Sequence, residues 1–518
     1  MHCKIHEGGL CSACSKLAQV QLKIQQCKDL LDELYVQEAR VKSCVNEAHD
    51  PIICRLPLEL VSYIFTLCDP QQAQEDQCSR RFQFDLAAVC NTWRTIIWST
   101  PHLWTKIHIW LDTPEICRQT ELLPLFLKLS GSLPLLIQVR LCTYYKPMEK
   151  DYPLLASLLQ MLNQHSARWE ALDLRLPSRL LALVNGVLPG APQLQILRII
   201  PRDSGNPHEQ ADNGFRIFGC PPCPSDISVN GIRFSQLGID WINVTTVKFH
   251  LLRPDECLEL FKCAKRLMEC EIVLDASVVP DRDVIRDEIA LPSLRTLRMR
   301  LSAFADIIFD ALVLPSLNNL HLERSARCMW LVNFLVRSSC TLLSLSLVDI
   351  HLDGIEMDSI LEQAPQLEIL RLSRNSIHFD NLFERLAHTK TVDKSSQNPD
   401  TTCDFLPCLR SLRCDQSRDM QIPWHLIPPM FASAPELENS GFHSLCKLRI
   451  SLHSGDPYLM GHCIDKSVVR QLWELKQHYQ LTICDEDGDV IERSYKHHFP
   501  PSGRNDTSGD SDVVDEAG

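Results

Sequence analysis

A short pattern recurs through most of this chain: leucine, two residues, an apolar residue, one residue, an apolar residue. It restricts the fold more than any other feature. Leu294-x-x-Leu297-x-Met299, Leu317-x-x-Leu320-x-Leu322, Leu342-x-x-Leu345-x-Leu347 and Leu367-x-x-Leu370-x-Leu372 follow one another about 25 residues apart. Leu409-x-x-Leu412-x-Cys414 and Leu445-x-x-Leu448-x-Ile450 extend the series toward the C-terminus. Trp169-x-x-Leu172-x-Leu174 and Leu194-x-x-Leu197-x-Ile199 precede it, and Val244-x-x-Val247-x-Phe249 and Leu267-x-x-Cys270-x-Ile272 are weaker copies. A unit this short cannot bury its own apolar side, but stacking on like neighbours can.

Apolar residues two apart read as a strand, and the stretch to the next copy, such as Ile355 to Gln363, reads as a helix. Proline precedes several copies (Ala191-Pro192, Leu291-Pro292, Leu314-Pro315, Ala364-Pro365, Leu406-Pro407) and stops the preceding helix. The spacing therefore predicts an α/β repeat solenoid over residues 111–494. The interval from Leu197 to Val247 is about two units, so one copy there is degraded. Residues 201–234 and 393–402 read as loops. The first holds Cys220-Pro-Pro-Cys223, whose thiols read as incidental to a loop, with a metal or redox pair as the alternative.

The single residue between the last two apolar positions points away from the core. Those positions read Asp173, Arg198, Lys248, Glu271, Arg298, His321, Ser346, Arg371, Arg413 and Arg449, and Arg300 lies one pleat further on. The formal net charge is −13, so a mostly basic stripe is not a by-product of composition. Arg198, Arg298, Arg300, His321, Arg371, Arg413 and Arg449 are the candidate residues for holding an acidic or phosphorylated protein segment. Arg and Lys serving only to solubilise a strand face, neutralised by nearby Asp and Glu, is the alternative.

Residues 1–16 read as a flexible terminus. Cys3, His6, Cys11 and Cys14 are of zinc-ligand type, but the pairs sit closer together than in the usual finger, so no metal is expected there. Residues 17–50 read as a helix. Leu17, Val20, Ile24, Cys27, Leu31 and Leu34 alternate by three and four, and Val41 and Val45 resume the seam after Glu38. Such a stripe fits either self-association as a coiled coil or packing on the rest of the chain.

Residues 51–110 carry a small helical unit. Leu56, Leu60, Ile64 and Leu67 lie on one helix face with Phe65 beside it, and Pro57 marks the start. A polar stretch from Gln71 to Arg81 follows, and then a second helix from Leu86 to Ile97 that groups Val89, Cys90, Trp93 and Ile97. Ser99-Thr100-Pro101 ends it before Leu103-Trp104. The unit is small and rich in apolar surface, so it needs a partner surface.

The series Leu56-Pro57-x-Glu59-Leu60, Ile64-Phe65, Val89-Cys90-x-x-Trp93-Arg94, Pro101-x-Leu103-Trp104 resembles an F-box. With the downstream copies, the chain is similar to F-box proteins with degenerate leucine-rich repeats of the kind abundant in mushroom-forming fungi. The polar insert between the helices is a departure from the pattern. The resemblance covers about a tenth of the chain through the F-box motif. It implies docking on a Skp-type adaptor and, through it, a cullin of an SCF-type ubiquitin ligase. Carried over by position, Leu56, Pro57, Leu60, Ile64, Phe65, Val89, Cys90 and Trp93 form or support that docking face. The repeats would hold a protein substrate, and ubiquitin transfer would fall to associated subunits. A repeat scaffold without a ligase link is the competing reading, with the helices at 56–97 capping the first repeat.

No Walker loop, dinucleotide fingerprint, HExxH or GxSxG is present, so a non-catalytic chain without a cofactor is expected. Asp485-Glu486-Asp487-Gly488-Asp489 lacks the closing Glu of a calcium loop and reads as a turn between strands Gln480 to Cys484 and Val490 to Arg493. The acidic balance speaks against nucleic acid or an anionic membrane as partner. With 24 cysteines scattered singly and no apolar run in MHCKIHEGGL, a reduced cytoplasmic or nuclear setting is expected. Residues 495–518 read as a disordered acidic tail.

Overall fold

The computed structural model describes residues 11–53, 55–68, 82–111, 115–141, 151–202, 214–275, 288–301, 305–325, 329–373, 379–388, 405–417, 422–431, 445–453 and 464–500. The expected loop at 393–402, Cys3, His6 and the tail beyond residue 500 lie outside these. The chain divides into two compact units, residues 1–222 and 223–518.

The first unit opens with the helix α1 (Ser12–His49). Three short helices follow: α2 (Leu58–Leu67), α3 (Phe82–Ala87) and α4 (Asn91–Trp98). Helix therefore begins within the terminus expected to be flexible. The single helix expected from Leu86 to Ile97 is also two pieces. The break comes at Cys90, whose extended backbone and Sγ cap α4 by accepting from the Trp93 amide at 3.5 Å. Val61, Phe65, Ile97 and Trp104 form a buried cluster, against which Phe126 and Leu129 pack. These last two belong to α5 (Glu115–Leu129).

Four parallel strands complete this unit's sheet: β1 (Lys106–Leu111), β2 (Leu135–Leu141), β3 (Trp169–Arg175) and β4 (Ile196–Ile199). Helix α6 (Tyr152–Asn163) and the short α7 (Ser178–Leu181) lie between strands in sequence, and β5 (Phe215–Arg216) comes last. The sheet starts inside the range read as the helical unit. Ile107 pairs with Ile137 and Ile137 with Leu172, so β1 and β2 bring buried apolar residues into register with those of β3.

The second unit carries a longer, mostly parallel sheet. Its strands in spatial order are β6 (Asp226–Asn230), β8 (Thr246–Leu252), β9 (Glu269–Leu274), β11 (Thr296–Arg300), β13 (Asn319–Ser325), β14 (Ser344–Ile350), β15 (Ile369–Ser373), β16 (Ser411–Ser417), β17 (Lys447–His453), β18 (Gln480–Asp485) and β19 (Gly488–Asp489). The strands β7 (Leu237–Gly238), β10 (Ile289–Ala290) and β12 (Leu312–Val313) are short side elements, β10 and β12 pairing with each other. Strand β6 lies within the expected loop 201–234, in the interval where a degraded copy was expected, with Ile227 paired to Val247. The register aligns Leu297, Leu320, Leu345, Leu370, Leu412, Leu448 and Leu481 in one row across the sheet. All seven are buried, which fixes register, because a one-residue slip would carry the row to the open face.

Helices α8 (Pro254–Cys263), α9 (Ala305–Ala311), α10 (Met329–Ser338), α11 (Gly354–Glu362) and α12 (Phe379–His388) touch in succession. Arg324 (φ 64°) and Asp349 (φ 55°) take left-handed backbone at matching positions of β13 and β14, and Leu251 (φ 66°) does so in β8. The left-handed residue shifts the alternation by one, so that Leu252 and Ile350 re-enter the core.

The C-terminal end differs from the sequence expectation. Residues Val490 to Arg493 are not a strand. Antiparallel β18 and β19 close a tight turn, and α14 (Val490–His498) follows, so helix continues into the range read as tail. Asp489 caps α14 by accepting from the Glu492 amide at 3.0 Å, and Lys496, His497 and His498 complement its C-terminal dipole. Tyr495 stacks on Trp473 of α13 (Lys466–His478) at 4.4 Å. The acidic run is consumed by cations: Asp485 pairs with Arg493, and Asp489 with Lys476 at 2.8 Å. No described helix is long and apolar enough to cross a membrane.

Candidate functional site

Two surfaces stand apart from ordinary solvated protein. The first is α2. Its Val61 and Phe65 are 0% and 2% exposed and face the helical core. Leu60, Tyr63 and Leu67, on the opposite side at helical spacing, are 49%, 60% and 65% exposed. A helix that is apolar on both sides is built to be covered on both. Of the residues carried over by motif, Phe65 and Cys90 are buried, and Leu56, Ile64, Val89 and Trp93 are half-buried. Pro57 and Leu60 are exposed. Trp93 stacks on Phe65 with ring centroids 4.6 Å apart, and its indole Nε1 donates to Asp50 Oδ2. Phe65, Cys90 and Trp93 therefore shape the unit from inside. Tyr63 and Leu58, absent from the motif set, are among the exposed apolar side chains. Their signal was that the polar positions Glu59, Ser62 and Thr66 make only a narrow stripe and leave two apolar sides on the helix.

The second surface is the open face of the long sheet. Strand register places Ser228, Lys248, Glu271, Arg298, His321, Ser346, Arg371, Arg413, Arg449 and Thr482 in one continuous row. Six of these are basic or His, and the row lies between the buried apolar rows. In the first unit, Asp173 and Arg198 are matched partners of the same kind. Asp173 is held there by Gln138 at 2.9 Å and Arg140 at 3.3 Å.

Carboxylates neutralise part of the row. Lys248 meets Glu271 at 3.4 Å, and Arg300 makes a two-pronged pair with Glu323 at 3.0 and 3.1 Å. Asp415 sits between Arg413 at 2.7 Å and Arg371 at 3.7 Å, and Ser373 donates to it at 3.0 Å. Burial alone would raise the Asp415 carboxyl, but hydrogen bonds from Ser451, Arg413 and Ser373 outweigh it and hold it below its ordinary value. Among the described residues, Arg298 and Arg449 have no carboxylate partner.

A hollow of about 710 Å³ opens on this face, lined among others by Arg298, His321, Ser346 and Arg371. Inside it, Ser346 Oγ and Arg371 Nε are buried without a hydrogen-bond partner. Burial depresses the His321 pKa, Glu323 opposes, and Arg371 and Arg298 push it further down. The imidazole is therefore neutral at neutral pH and offers one donor and one acceptor. Unmet donors beside an unpaired guanidinium are the groups that an incoming anionic oxygen would satisfy.

Cys11 caps α1, its Sγ accepting from the Cys14 amide at 3.5 Å, and Cys220 and Cys223 are exposed. No metal-type cluster of His, Cys, Asp or Glu occurs among the described residues. A scan against protein-family models finds no match for this chain, and no curated protein matches it.

Proposed function

We propose that this chain is the substrate-recognition subunit of an SCF-type ubiquitin ligase. In this reading residues 51–110 are an F-box that docks on a Skp-type adaptor, and the strands are leucine-rich repeats that hold the protein to be modified. The observation that carries it is the second apolar side of α2. Val61 and Phe65 already bury one side in the unit's own core. Leu60, Tyr63 and Leu67 then remain as a contiguous apolar strip with no covering element among the described residues. A helix that only capped the first repeat would have one apolar side.

The open sheet face is the substrate surface in this reading, with Arg298, His321 and Arg371 receiving an acidic or phosphorylated segment. Arg300 and Arg413 take a lesser part, since Glu323 and Asp415 already pair with them. Catalysis belongs to the associated subunits.

The test is co-expression of the full chain with a Skp-type adaptor, comparing wild type with Leu60→Glu combined with Leu67→Glu. These two side chains carry little of the fold, whereas Trp93 is tied into it. A complex formed by the wild type and lost in the variant supports the proposal. A folded wild-type chain that ignores the adaptor overturns it and leaves a repeat scaffold.

A further inference from the structure

We infer that the seam of α1 is a docking surface for a helix of another protein, one whose apolar heptad positions are flanked by Asp and Glu. The 38 residues of α1 make a rod of about 57 Å, and none of its side chains is buried. A helix with so little tertiary packing is marginal in water on its own. Leu17, Val20, Ile24, Leu31, Leu34 and Val41 form an exposed stripe along it. Among the described residues, its last turns are held by two side-chain hydrogen bonds. Asn46 Nδ2 donates to the Val89 carbonyl at 2.8 Å, and Thr92 Oγ1 donates to Glu47 Oε1 at 2.7 Å. Both contacts use outer b and c positions, and among the described residues nothing covers the stripe.

Charge selects the occupant. With Leu17 at a and Val20 at d, the flanking e and g positions carry Lys16, Lys23, Lys28 and Lys42, and no Asp or Glu. The acids Asp29, Asp32, Glu33 and Glu47 fall on the outer b, c and f positions. Glu38, at a, turns to Lys42 of its own helix at 2.8 Å. Leu30 and Tyr35 widen the apolar strip at its middle. The surface is thus apolar at the centre, with lysine shoulders toward both ends.

A second copy of the chain fits this surface poorly. Parallel pairing opposes Lys23 of one copy to Lys28 of the other, because g meets the e position five residues on. Antiparallel pairing sets e against e and g against g, lysine shoulder on lysine shoulder. Neither arrangement offers an acid to any of these lysines. A helix with acidic shoulders meets each of them, and the same charges reject copies of α1. This holds whichever partner α2 takes.

The test uses the full chain and two synthetic heptad peptides with Ile at a and Leu at d, one with Glu and one with Lys at every e and g position. The chain alone should run as a monomer by light scattering at micromolar concentration. It should bind the Glu peptide at least about tenfold tighter than the Lys peptide, and the gap should narrow in about 1 M salt. Replacing Lys16, Lys23, Lys28 and Lys42 by Glu should reverse the preference. Ile24→Glu with Leu31→Glu should abolish both bindings and leave the thermal midpoint of the chain unchanged. Two results would overturn the inference: a dimer that falls to monomer in that last variant, or two peptides that bind equally or not at all.

Discussion

At the residue scale, Asp415 decides how much positive charge the open sheet face keeps. Its hydrogen bonds from Arg413, Ser373 and Ser451 favour the ionised form. Asp415→Asn should cost about 1–3 kcal/mol at neutral pH, since a charged acceptor is lost and two guanidiniums are left without it. The sign with pH follows from the lowered pKa. The stabilisation is present above the ordinary carboxyl value and fades as pH falls through the lower value of the folded state. The difference between variant and wild type, read from urea unfolding, should therefore shrink in acid. Arg298→Glu with Arg371→Glu should weaken capture of an acidic or phosphorylated peptide without lowering the thermal midpoint. Unchanged capture would remove this face from the account. Thiols divide in the same way. Burial pushes Cys257, Cys270 and Cys414 up, out of the reactive range, while Cys220 and Cys223 are exposed. Maleimide should label the exposed pair in the folded chain and reach the buried three only after unfolding, as peptide mass mapping would record.

At the element scale, α2 separates the side chains that hold the fold from those that the proposal assigns to docking. Phe65→Ala should destabilise the helical unit by about 3–5 kcal/mol, because it empties a packed position beneath Trp93. Leu60→Glu and Leu67→Glu should stay within about 0.5 kcal/mol of wild type, since both side chains already meet water. The same elements explain what the sequence revealed. Strands that begin with Leu three residues before the central apolar position were legible, because that leucine turns inward and anchors the turn. Strands β2 and β6 carry Pro134 and Pro224 at that position, so the six-residue pattern fails although Ile137 and Ile227 pair in place, while β1 with Trp104 there was absorbed into the helical unit that precedes it. Their period-two burial was present in the sequence but too short to stand without the anchor. Helix α14 was hidden for another reason. Its apolar side is only Val490 and Ile491, and what holds it is the Asp489 cap and the Trp473 stack, neither of which periodicity registers. The basic row could be read position by position. The cross-strand part of its neutralisation could not, because Glu323 reaches Arg300 and Asp415 reaches Arg371 through strand register, whereas Asp415 also pairs with Arg413 two residues away in its own strand.

At the scale of the whole molecule, stacked strands make stability local. Each strand of the long sheet is paired mainly to its neighbours, so damage should spread little beyond them. Leu345→Ala should cost about 2–5 kcal/mol, and faster amide exchange should concentrate in β13, β14 and β15. Such a body can offer a long open face without large internal motion. The helical unit, by contrast, uses a small set of side chains for its core and leaves Leu58, Leu60, Tyr63, Leu67 and Trp98 exposed. In the proposed reading the apolar strip takes one partner and the polar, partly basic face another, which is the logic of a bridging subunit. The most direct measurement of that claim is light scattering on the full chain co-purified with a Skp-type adaptor. The account predicts a one-to-one complex with wild type, and free monomeric chain with Leu60→Glu and Leu67→Glu. A wild-type chain that elutes folded and alone, with the adaptor in excess, would contradict it.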